Sequence, residues 1–64
     1  MSVNLIHAKM TAGDLLETII AAHCTEKPNI KAIHVEEAEH QLERLARELG
    51  FRVQRITAPA AEVA

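Results

Sequence analysis

A chain of 64 residues and 7.1 kDa has room for one domain, and a domain of that size hides only about 60% of the surface its unfolded chain exposes. Hydrophobic residues make up 48% of the sequence, but Phe51 is the only aromatic, so Leu, Ile and Val must fill whatever interior forms. A net charge of -2 removes any global attraction for nucleic acid or anionic membranes, and Cys24, the only cysteine, excludes an internal disulfide framework.

From Ser2 to Ala8 the pattern alternates weakly, Val3 and Leu5 against Asn4 and Ile6, which predicts a short strand. Thr11 then reads as a helix N-cap, with Asp14 three residues on and Met10 and Leu15 placed as a hydrophobic staple. At ~100° per residue, Ala12, Leu15, Leu16, Ile19, Ile20, Ala22 and His23 share one broad face of this first helix. Thr25 to Asn29 form the break, since Pro28 cannot donate to a helical ladder and biases Lys27 toward extended geometry.

Ile30 to His34 is read as a strand or extended turn. Asn29 could cap a longer helix there, but Ile33 would point almost opposite the leucine stripe that follows. The second helix is expected from about Val35 to Leu49, because Val35, Ala38, Leu42, Leu45 and Leu49 recur at three-and-four spacing and Gly50 supplies a left-handed stop. Glu36, Glu37 and Glu39 near its start and Arg44 and Arg47 toward its end suit the helix dipole, and Glu43 and Arg47 stand four apart as an oriented pair.

After Gly50, Phe51 and Val53 alternate with Arg52, Gln54 and Ile56, predicting a last strand that Thr57 ends. The expected fold class is therefore α+β, a single domain over residues 1–57 with a flexible tail over 58–64. Its two helices would lie on a two- or three-stranded sheet, β-α-α-β or, if Ile30 to His34 pairs, β-α-β-α-β. Such a sheet leaves exposed edges and cannot cover both apolar stripes, which points to a dimer.

Candidate sites are few. His23, Cys24, His34 and His40 have zinc-ligating chemistry but not the paired spacing of structural zinc sites, so no metal or cofactor is expected. His23 falls near the centre of the first helix's apolar face, where an imidazole needs a hydrogen-bond partner or a wet interface; Cys24 reads as a small hydrophobe. With no glycine-rich phosphate loop and no serine but Ser2, an enzyme is not expected either.

What remains is interaction. Leu42, Leu45, Leu49, Phe51 and Val53 are the candidate protein interface, and Arg44, Arg47, Arg52 and Arg55 the candidate contacts to a target, with Glu36, Glu39 and Glu43 as the acidic counterpart. The expectation is a homodimer that occludes or scaffolds an unknown protein target, in the manner of small regulatory or inhibitory proteins, including those of phages and other mobile elements. The alternative is a nucleic-acid-associated regulator using the arginines as a basic strip, although stacking aromatics are missing. No apolar leader opens the sequence and no apolar run reaches the ~18 residues of a membrane span, so no membrane role and a cytoplasmic setting are expected.

Overall fold

A computed structural model describes residues 3–56. It is a helical hairpin: α1 runs Leu5–Cys24, α2 runs Pro28–Glu48, and the three residues between them make the turn. No strand occurs among the described residues, so the α+β expectation is overturned in favour of two helices packed on each other.

Each end of each helix has a local cause. At the start of α1, Asn4 Oδ1 accepts from the His7 backbone N–H at 3.1 Å, placing an asparagine where its short side chain satisfies an otherwise orphaned donor. The helix thus begins at Leu5, well before the Thr11 cap read from the sequence, and it takes in Leu5 to Ala8 of the segment expected as a first strand, whose Ser2 lies outside the described residues. Leu5, Ala8, Lys9 and Met10 are all good helix formers, and an alternation so short was poor grounds for a strand.

Pro28 begins α2 instead of merely breaking the chain. A proline at the first helical position loses an N–H that would have no partner there and presents a preset φ; the Lys31 N–H donates to the Lys27 carbonyl at 2.9 Å to close the first turn. Ile30 to His34 therefore belongs to α2, correcting the strand or extended turn. Ile33 does point away from the stripe, and it does so as an exposed helical residue.

Gly50 stops α2 as expected. Its φ of 87° allows its N–H to reach the Arg47 carbonyl at 3.1 Å and the Phe51 N–H to reach the Ala46 carbonyl at 2.6 Å, which is the paired closure of a Schellman motif. Beyond it, residues 51–56 turn back along α2, held at the far end by an ion pair from Arg55 Nη2 to Glu39 Oε1 at 2.6 Å. This segment is not the predicted last strand, because no second strand accepts its hydrogen bonds. The tail assigned to 58–64 and the strand end at Thr57 lie outside the described residues.

The two helices are antiparallel and tied at both ends. The Asn4 N–H donates to the Glu48 carbonyl at 3.0 Å, and Lys31 Nζ donates to the Ala22 carbonyl at 2.8 Å. Both contacts draw on carbonyls in a last helical turn, where partners are otherwise lacking.

Candidate functional site

The seam between the helices follows a three-and-four repeat on both sides. On α1 the buried or half-buried positions include Ala8, Thr11, Leu15, Thr18 and Ala22; on α2 they include Ile30, His34, Ala38, Gln41 and Leu45. Small and polar residues dominate. The fully sequestered positions among the described residues are Ala8, Ala46, Thr11 and Thr18, and no large side chain is completely enclosed. Thr18 Oγ1 donates back to the Asp14 carbonyl at 2.9 Å, while Gln41 Oε1 and Glu48 Oε1 are buried without a hydrogen-bond partner among the described residues. Each such orphan costs about 1–3 kcal/mol, so the seam is a weak source of stability.

Either side of the seam the hairpin presents a different surface. One side is a polar groove. Asp14, Glu17, Thr18 and Ala21 of α1 line it with His34, Glu37 and Gln41 of α2, and toward the other end His7, Met10, Thr11 and Asp14 line it with Arg44 and Glu48.

With the seam and the polar groove located, the helical repeat assigns the opposite side of each helix. On α1 it carries Leu5, Ala12, Leu16 and Ile19; on α2 it carries Val35, Leu42 and Leu49. Their exposures are 68% for Leu5, 58% for Leu16, 51% for Ile19, 44% for Val35, 45% for Leu42 and 37% for Leu49. This open apolar side spans both helices; Ile6, Met10, Ile20, Ile33, Phe51 and Ile56 are exposed at its edge or outside it. Residues 51–56 flank it, with Val53 beside Leu42 and Glu39.

The predicted interface residues divide accordingly. Leu42 and Leu49 are on the open side, Leu45 is half-buried in the seam, Val53 borders the open side, and Phe51 is exposed beside Glu43, Arg47 and Arg52. The α1 contribution escaped the sequence reading in part, because Leu5 had been placed in a strand. The recurrence of Leu5, Ala12 and Ile19 at intervals of seven was the signal that could have found it.

The four arginines do not form one strip. Arg47 and Arg52 share a shallow pocket with Glu43, Arg44 lies in the polar groove with Asp14 and Glu48, and Arg55 is engaged by Glu39. Each has a carboxylate for a neighbour. The helical pair Glu43 and Arg47 lines a common pocket without closing an ion pair; among the described residues the one ion pair is Arg55 with Glu39.

His23 and Cys24 are exposed at the end of α1, His40 is exposed on α2, and His34 is half-buried at the seam. Among the described residues no three potential metal ligands come together. Among the described residues no helix is long and apolar enough to cross a membrane.

No family model, no curated protein and no solved structure matches this chain. Function has to be argued from the surfaces themselves.

Proposed function

We propose that this chain is a non-catalytic protein-interaction module, a helical hairpin that completes its hydrophobic interior against another polypeptide and in doing so regulates or occludes a partner. One observation carries the reading: Leu5, Leu16, Ile19, Val35, Leu42 and Leu49 stand exposed on one side spanning both helices, while the seam, apart from half-buried Leu15, Ile30 and Leu45, holds small and polar residues. Monomeric proteins rarely leave contiguous apolar patches beyond a few hundred Å² in water. An apolar surface selects a surface of the same kind, which favours a protein complement over a phosphate backbone.

Nucleic-acid association through Arg44, Arg47, Arg52 and Arg55 gains no support from their arrangement, since each arginine sits beside a carboxylate that offsets its field. The discriminating experiment is the native mass of the full chain in an extract of its host, measured before and after nuclease treatment. The module reading expects a nuclease-resistant species heavier than 7.1 kDa. A species that collapses to the free chain on nuclease treatment, or a free chain from the outset, would refute it.

A further inference from the structure

The open apolar side is half of a repeat whose other half is already buried. On α1, Leu5, Ala12 and Ile19 recur every seven residues, and Ala8, Leu15 and Ala22 follow each of them by three; on α2, Val35, Leu42 and Leu49 recur every seven, with Ala38 and Leu45 interleaved in the same way. These are the two interleaved positions of a heptad stripe, the pattern by which helices pack side by side in coiled coils and bundles. The hairpin covers one set: Ala8 is buried and Leu15, Ala22, Ala38 and Leu45 are half-buried. It leaves the other set, including Leu5, Ile19, Val35, Leu42 and Leu49, exposed.

A helix carrying a complete heptad stripe in a bundle touches two neighbours, and here each helix has one. We infer that a second copy of this chain supplies the other, its open side laid on that of the first to make a two-fold symmetric four-helix bundle. This deepens the interaction-module reading and rests on it.

The observations favour a second copy over another occupant for three reasons. First, the missing surface must itself be two antiparallel helices with heptad stripes of matching length, and the hairpin is such a surface: Leu5 to Ile19 and Val35 to Leu49 each span two heptad intervals. An isologous pairing then sets apolar rows against apolar rows with no new sequence required. Second, the side is about 22 Å long and two helix diameters wide, a projected area of roughly 500 Å² before corrugation is counted, more than half of the ~800 Å² that each partner buries in a standard interface. Third, with so little enclosed within one hairpin, folding needs its complement close at hand, and an identical chain accompanies every molecule made. Ile6 lies on the outer side of α1, and Ile20, one turn from Leu16, stands at the edge of this surface; both are exposed in the hairpin.

Two measurements on the full chain test this. Sedimentation equilibrium at micromolar concentration should give twice 7.1 kDa, and NMR on an equal mixture of isotopically labelled and unlabelled chains should show methyl contacts between copies among Leu5, Leu16, Ile19, Val35, Leu42 and Leu49. Ile19→Glu should raise the dimer dissociation constant by at least roughly tenfold, since it replaces a buried apolar side chain with a charge, whereas Glu37→Gln in the polar groove should leave it unchanged. Should Ile19→Glu unfold the chain, the methyl contacts of the unaltered protein decide the matter alone.

Contacts between copies confined to Ile6 and Ile20 would overturn the bundle, and so would a folded monomer. In either case a nuclease-resistant complex in host extract would leave the interaction-module reading standing. A folded monomer that instead partitions onto anionic phospholipid vesicles, with no protein complex in extract, would overturn both.

Discussion

The seam and the open side of this hairpin divide the same helices between them in opposite chemical terms. The seam brings alanines and threonines together with half-buried Leu15, Ile30 and Leu45 and with polar Gln41 and Glu48, which each keep one oxygen without a hydrogen-bond partner among the described residues. The open side sets out leucine, isoleucine and valine where water can reach them. In a self-sufficient domain the assignment runs the other way, since burial of apolar side chains drives folding at about 25 cal/mol per Å². The lesson is that small residues and end contacts bring α1 and α2 together, while the hairpin by itself leaves Leu5, Leu16, Ile19, Val35, Leu42 and Leu49 largely uncovered, the surface that the proposed bundle would bury.

The sharpest way to break that comparison is to charge the open side. Leu42→Asp should abolish the cooperative thermal transition at micromolar concentration, because covering Leu42 in the proposed bundle contributes up to about 1.5–3 kcal/mol and a domain this small has little stability in reserve. His40→Asp, on the exposed part of the same helix, should stay within ~0.5 kcal/mol of the parent in the same calorimetric scan. If both behave alike, the open side carries no special weight.

Enlarging the seam tests the other half. Ala8 is buried in the seam, so Ala8→Leu should destabilise by about 1–3 kcal/mol through overpacking, read from the urea midpoint. A gain in stability would mean that the seam is underfilled and not closely apposed.

The ends of the hairpin come next. Gly50→Ala forces a side chain into a φ of 87° and should cost about 1–2 kcal/mol in chemical denaturation. Removing the N-cap by Asn4→Ala should cost about 1 kcal/mol, visible as lost helicity in the first turn of α1 by hydrogen exchange. The smallest effect belongs to Arg55. Its pair with Glu39 is 72% and 42% exposed, so Arg55→Ala should move stability by at most ~0.5 kcal/mol, and a larger change would show that residues 51–56 contribute more than a solvated ion pair.

Some of this molecule was legible from its residues. The stop at Gly50, the stripe of Val35, Ala38, Leu42, Leu45 and Leu49, and the shortage of bulky interior side chains all follow from spacing and composition. The errors share one physical origin. Leu5 to Ala8 and Ile30 to His34 are short apolar runs, and a run of that length has nearly the same pattern in a strand as in a buried turn of helix. Asn4 and Pro28, each a good helix starter, were the local signals that outweighed the apparent alternation. Residues 51–56 do alternate, yet alternation makes a strand only where another strand can accept its hydrogen bonds.

By itself, then, the amino-acid order determined the helical repeat over the leucine stripe, the glycine that ends α2 and the deficit of large core residues, because these depend on neighbours a few positions apart. Only the tertiary structure decided that each heptad stripe would be split, one set of positions turned inward to the seam and the other outward. That choice depends on how two helices rotate about their own axes when they meet, a rotation that here turns Ala8, Thr11 and Thr18 of α1 and Ala38 and Leu45 of α2 inward, residues far apart along the chain.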